Sequence, residues 1–298
     1  MERFLRQPKH HTWATALTLA TVQNPLFFLL LTCACLLAGP RDAAAEGPQW
    51  RRGWGLGQPP HPVRSAHSSG FADLQLQPQS GGHAVIARNL LAGPVQIRLQ
   101  GSDARLSPAP RVLAAAEQRR LAWLPANGPG ARLLLDAVPG APVARPDDVL
   151  YRLPFAGGKA RVSQAFGGRH SHNDAQNHYA VDFPLAEGTP VLAARAGVVM
   201  QVLDAATGEA NLVRILHADG SMALYAHLQA GSAAVRPGQK VEIGQRLANS
   251  GNTGRSSGPH LHFTVQRNAG MALESLPFRM ADDRGELQFP REDNGGGD

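Results

Sequence analysis

Seven of the twelve histidines in this 298-residue chain lie beyond residue 150, and their spacing sets out a chemistry. His178 and Asp182 stand four apart in His178-Tyr179-Ala180-Val181-Asp182, and His260 and His262 flank Leu261. In an extended strand, residues two or four apart point to the same face. Each pair would therefore present both polar groups together, with Leu261 turned toward a core. Two imidazoles and one carboxylate, with water in the fourth position, form the donor set of a hydrolytic zinc site; a structural site closes with four protein ligands, usually thiolates. The two cysteines, Cys33 and Cys35, both fall in an apolar N-terminal leader, so neither thiolate ligands nor a disulfide framework is expected in the remainder. Taken singly, either motif reads as an ordinary surface or core histidine; together they point to metal. An upstream pair, His170 and His172 in Gly168-Arg169-His170-Ser171-His172-Asn173-Asp174, leaves His172 as an alternative to His178. The strand spacing to Asp182 favours His178. His217, just before Asp219-Gly220, reads as an exposed turn residue.

Three stretches carry a family resemblance: 177–199 (NHYAVDFPLAEGTPVLAARAGVV), Tyr225-Ala226-His227-Leu228, and 251–263 (GNTGRSSGPHLHF). In this order they resemble the lysostaphin-type, or LytM-like, zinc metalloendopeptidases of metallopeptidase family 23, over about residues 150–270. The resemblance implies a β-sheet domain with zinc in a groove walled by loops. It implies His178, Asp182 and His262 as zinc ligands, and His227 and His260 as catalytic histidines outside the metal shell. The implied activity is hydrolysis of peptide cross-links in bacterial peptidoglycan, with peptide stems as the partner. General-base work falls to His260, and hydrogen bonding of the oxyanion or protonation of the leaving amine to His227, with exchange of the two roles left open. Two alternatives stand beside it: a non-catalytic LytM-like domain that binds wall or activates an amidase, and an endopeptidase acting on exported proteins.

Other chemistries are disfavoured. No GxSxG elbow is present, and no nucleophilic cysteine follows the leader. The Gly- and Ser-rich loop 249–259 lacks the Lys-Ser/Thr ending of a phosphate cradle and reads as a groove wall, with Gly258-Pro259 setting the entry to His260. The formal charge of +6 falls mildly once residues 1–45 are set aside, leaving 25 basic against 21 acidic residues. No basic run interleaves with aromatics, so nucleic acid is not expected as a partner.

The elements that must position these residues are strands. Gly (32) and Pro (23) are plentiful and aromatic content is only 6%, which favours a turn-rich, mainly β fold over long helices. Strand candidates in the catalytic half are 190–203, 211–217, 222–228, 240–247 and 261–266. They compose an antiparallel β-sheet peptidase domain over 149–285. Upstream, apolar stretches at 84–87, 95–99, 120–124 and 131–135 suggest a small β-sandwich-like domain over 71–145, joined by a Pro-rich linker. A peptidase half of about 140 residues has enough core to fold alone, so a chain beginning near Asp147 is expected to fold and act. Residues 1–45 read as a signal peptide, with the apolar run 26–39 too short to span a bilayer comfortably and Ala43-Ala44-Ala45 as the cleavage site. An uncleaved anchor is the competing reading. Residues 46–70 read as a flexible lead-in and 286–298 as a disordered tail. The mature protein is expected to be an exported monomer without a membrane span, periplasmic or extracellular and associated with the cell wall.

Overall fold

The structure is a computed structural model that describes residues 70–289, apart from 103–105, 127–130, 158, 207 and 209. The leader, residues 46–69 and the last nine residues lie outside the described residues, so the signal-peptide and tail expectations are not addressed by it. Among the described residues the regular elements are all strands.

In the first half, β1 (Ala72–Gln79) and β2 (Gly82–Asn89) form a hairpin across Ser80-Gly81, where Gly81 takes φ 83°, a backbone state that tight hairpin turns need and that glycine adopts without steric cost. β3 (Val95–Gly101), β4 (Arg111–Leu113), β5 (Gln118–Pro125) and β6 (Leu133–Pro139) complete two three-stranded sheets, ordered β1-β2-β5 and β4-β3-β6. Leu74, Val85, Ile97, Leu99, Leu113 and Leu135 are buried in one cluster.

The second half begins with β7 (Leu150–Arg152), β8 (Val181–Pro184), β9 (Pro190–Leu192) and β10 (Gly197–Leu203). It continues through β11 (Asn211–Leu216), β12 (Met222–Leu228), β13 (Lys240–Val241), β14 (Arg246–Asn249) and β15 (His260–Asn268). The last strands are β16 (Leu273–Leu276), β17 (Arg279–Asp282) and β18 (Gly285–Glu286). Seven of these make the main sheet, in the order β13-β10-β11-β12-β15-β16 with β8 on β15. Side-chain alternation gives this sheet two unlike faces. One is apolar: Val199, Val213, Ile215, Tyr225, Phe263 and Val265 pack a core in which the Tyr225 hydroxyl accepts a hydrogen bond from Ala194 N–H at 2.8 Å. The other alternates polar groups among apolar ones. His262, Thr264 and Gln266 lie on it from β15, beside Met222, Leu224 and Ala226 from β12.

The far end of that polar face is covered by the first half of the chain. Met200, Met222 and Leu273 belong to the same buried cluster as Leu74 and Val85. Ala92 N–H donates to Met200 O, Asn268 Nδ2 to Gly140 O and Met271 N–H to Gln96 Oε1. Arg214, fully buried, hydrogen-bonds Gln266 Oε1 at 2.6 Å and lies 5.8 Å from the Phe71 ring centre. All described residues fall within one compact unit. Among them no helix is long and apolar enough to cross a membrane.

Candidate metal centre

The pairing of β8 with β15 sets Asp182 directly opposite His262, and the two side chains meet with Asp182 Oδ1 at 2.8 Å from His262 Nδ1. A third group reaches them from a turn. His172 Nδ1–H donates to Ala165 O at 2.8 Å, which directs Nε2 inward to 3.3 Å from Asp182 Oδ2. His172, Asp182 and His262 are all buried, and one donor atom from each lies within 4.8 Å of the others.

His178 is not in this group. The expectation that it shares a strand face with Asp182 fails because β8 begins only at Val181. Residues 175–179 form a turn, closed by His178 N–H to Asp174 O at 2.9 Å and Ala180 N–H to Asn177 O at 2.8 Å. Two-residue periodicity cannot be carried back through such a turn. The His178 ring instead stands edge-on to Tyr179, with centroids 4.6 Å apart. His217 also departs from expectation: it does precede a turn, but its ring folds inward, only 3% exposed, with Nδ1–H donating to Ala196 O. Burial lowers its pKa to about 4.

His227 and His260 complete the cluster. Strict alternation along β12 would send His227 into the apolar core after Ala223 and Tyr225. A bulge prevents this: Asn211 pairs with Leu228 and Leu212 with Ala226, which leaves His227 as an extra residue at φ 61°. Leu228 takes the core position, and the His227 ring joins the groove. A bulky residue in left-handed backbone carries strain of order 1–3 kcal/mol, and such strain concentrates at working sites. His227 Nδ1–H donates to Thr253 O at 2.8 Å, and His260 Nδ1–H to Gly258 O at 2.8 Å. Both rings therefore carry their lone pair at Nε2 when neutral. Their centroids are 4.6 Å apart, and His260 Nε2 lies 3.9 Å from Asp182 Oδ1.

The electrostatics suit a cation. Burial alone would raise the Asp182 pKa, but the His172 and His262 imidazoles beside it hold the carboxyl well below the usual carboxylate range. Burial lowers His262 despite its contact with Asp182, and burial followed by the neighbouring His262 and His260 rings lowers His227 to about 3. Asp182 is thus held as a carboxylate and His227 and His262 as neutral imidazoles, the protonation states that ligate metal. His172 Nε2 is buried and makes no hydrogen bond of good geometry, as an atom facing a metal position would. The residues present fit a two-imidazole, one-carboxylate zinc centre.

Around these groups runs a groove of about 890 Å³. One wall is the 255–259 segment, as the loop composition led us to expect; the other is the 170–177 turn, and Gln164 also lines the groove. Sequence spacing did not single out Gln164, because an isolated glutamine carries no period or motif.

Residues 176–274 match the family model described as Peptidase family M23. The match takes in Asp182, His227, His260 and His262 and begins after His172. An uncharacterized metalloprotease of Haemophilus influenzae is 38% identical over 125 residues, 41% of this chain and 26% of that protein. The peptidoglycan DD-endopeptidase ShyA of Vibrio cholerae is 40% identical over 110 residues, 36% of this chain and 25% of its own. The matched part thus spans about a quarter of these relatives. Among solved structures, lysostaphin from Staphylococcus simulans aligns over 40% of this chain and 47% of that one, 28% identical, with a TM-score of 0.33.

Proposed function

We propose that this chain, which carries a domain of Peptidase family M23 at residues 176–274, is a zinc-dependent endopeptidase that hydrolyses peptide cross-links in bacterial peptidoglycan. The observation that carries the reading is the convergence of donor atoms from His172, Asp182 and His262 within 4.8 Å of one another, with Asp182 and His262 lining the same groove as the His227 and His260 rings. The ligand set proposed is His172 Nε2, the Asp182 carboxylate and His262 Nδ1, so His172 replaces His178 in the set the sequence favoured. The similarity to a peptidoglycan DD-endopeptidase supports the substrate. That substrate lies outside the cytoplasm, which agrees with an exported, wall-associated protein.

Zinc, when bound, supplies a Lewis acid that polarises the scissile carbonyl and acidifies a water. The remaining work belongs to this chain. His260 Nε2 takes the proton of the attacking water as its oxygen bonds to the carbonyl carbon. That proton then passes to the leaving amine as the C–N bond breaks. His227, whose neutral Nε2 carries a lone pair, takes up that proton in a relay and only then donates it to the oxyanion or the leaving amine. Both rings cannot be imidazolium at 4.6 Å without strong repulsion, so the pair holds one transferable proton at a time. The backbone carbonyls of Thr253 and Gly258 fix both rings in the orientation that this requires.

The test is digestion of purified peptidoglycan by the zinc-loaded protein, with mass analysis of the released fragments. Cut cross-links are expected, and chelation or Asp182→Ala should abolish them. Intact cross-links after digestion with zinc-loaded protein would refute the reading, and cleavage of exported proteins alone would reassign the substrate.

A further inference from the structure

We propose that Gln164 is a positioning residue for the metal centre: its carboxamide fastens the turn that carries His172 to the carboxylate of Asp182. The inference rests on the metal reading above. Asp182 and His262 are set by the β8–β15 register, but His172 belongs to no strand and needs another device to hold it at the same point.

Gln164 supplies that device through both polar atoms of its carboxamide and its backbone carbonyl. Its Nε2 donates to Ser171 Oγ at 2.7 Å and to Asp182 Oδ2 at 3.3 Å, and its Oε1 accepts from His170 N–H at 3.2 Å. Its backbone O accepts from Asp182 N–H at 2.9 Å, while Ser163 N–H donates to Asp182 O. The next carbonyl, Ala165 O, orients the His172 ring, and His172 N–H donates to Gly168 O. One residue, 6% exposed, thus touches both the strand bearing one ligand and the two residues preceding another.

The side-chain type matters. A carboxamide donates to Asp182 and accepts from His170 N–H simultaneously; a glutamate has no donor and would add a second negative charge within hydrogen-bonding distance of Asp182. Gly168 belongs to the same device. A Cβ there would lie 2.2 Å from Gln164 Cγ, 2.6 Å from Cδ and 3.1 Å from Ala165 O, so Gly168→Ala displaces the carboxamide, and presses lightly on the His172 acceptor, without removing any polar group.

The experiment is zinc competition against a chromogenic chelator, on the full chain. Loss of an outer partner of a metal ligand typically costs about 10–100-fold in affinity. Gln164→Met, similar in shape but unable to form these hydrogen bonds, is expected to fall in that range, with circular dichroism unchanged. Gly168→Ala should move the same way, and Ser171→Ala, which removes one of the bonds, by less. A merely structural role would lower the melting temperature of the metal-free protein and leave the zinc affinity of its folded fraction unchanged. Wild-type protein that binds zinc while Gln164→Met and Gly168→Ala bind within twofold of it overturns the inference and spares the metal reading. Wild-type protein that binds no zinc overturns both. If Gln164→Met does not fold, Gly168→Ala and Ser171→Ala decide, and wild-type affinity in both counts against the proposal.

Discussion

Removing the first half of the chain tests whether the peptidase half stands alone. A truncation starting near Asp147 uncovers Met200, Met222 and Leu273, each buried against the sandwich. Burial of one such side chain contributes about 1.5–3 kcal/mol, so the three together amount to about 5–9 kcal/mol. That is comparable to the whole stability of a typical domain, about 5–15 kcal/mol. The cut also removes Phe71 from Arg214, although a newly hydrated guanidinium offsets that loss. We therefore expect the truncated chain to be poorly soluble, or to unfold at much lower urea than the full chain, despite retaining every metal-centre residue. The assay is urea denaturation followed by circular dichroism, with zinc content measured on the folded material. A companion truncation carrying Met200→Gln, Met222→Gln and Leu273→Gln separates exposed apolar surface from missing structure, since it should recover solubility. If the unmodified truncation unfolds cooperatively near the full-chain midpoint and binds one zinc, the shared core contributes far less than its burial implies.

Three further outcomes follow from the site. His172→Ala should lose zinc affinity by about 100-fold or more, taking about a quarter of a four-ligand zinc binding energy of 10–16 kcal/mol as one ligand's share, whereas His178→Ala should keep it; metal analysis after dialysis decides. His227→Ala and His260→Ala should fold and retain zinc but lose on the order of 100-fold in cross-link cleavage, read by fragment release at saturating metal. His217 stays neutral in the fold, with a pKa of about 4 against an ordinary value of 6.5, so the unfolded chain gains its proton first as pH falls. Stability is then lost between about pH 6.5 and 4, by about 3 kcal/mol. His217→Gln should flatten the fall in urea midpoint over that window, and an unchanged slope would rule out this source.

The legible part of the site was the part governed by strand period. His260, Leu261 and His262 lie on one uninterrupted strand, so alternation predicted both the shared face and the inward Leu261. The same arithmetic misled at His178, because Asn177 and Ala180 close a turn by hydrogen bonds that no two-residue period reveals. It would also have misplaced His227, whose side is decided by a bulge at φ 61°; there the Tyr-Ala-His-Leu resemblance carried the residue. Strands were found more readily than their breaks: 190–203 divides into β9 and β10, and 240–247 spans parts of β13 and β14. β1 was missed, since its apolar Leu74 and Leu76 are spaced among Gln75, Gln77 and Gln79.

The shared core was hidden for a different reason. Met200 and Met222 look like any apolar strand residue, and sequence does not say which face of a doubly buried sheet meets which neighbour. Met200, next to Val199 of the apolar core, falls on the polar face by plain alternation, and the register shift between Val199 and Gln201 keeps Gln201 on that same face, where its Oε1 accepts from buried Arg214. Two irregularities thus divide one sheet face between two tasks. One keeps a glutamine beside Arg214, and the other turns a histidine into the groove. Loss of the β12 bulge would return His227 to the apolar core, so the register of β12 is as much a determinant of the site as the histidines themselves.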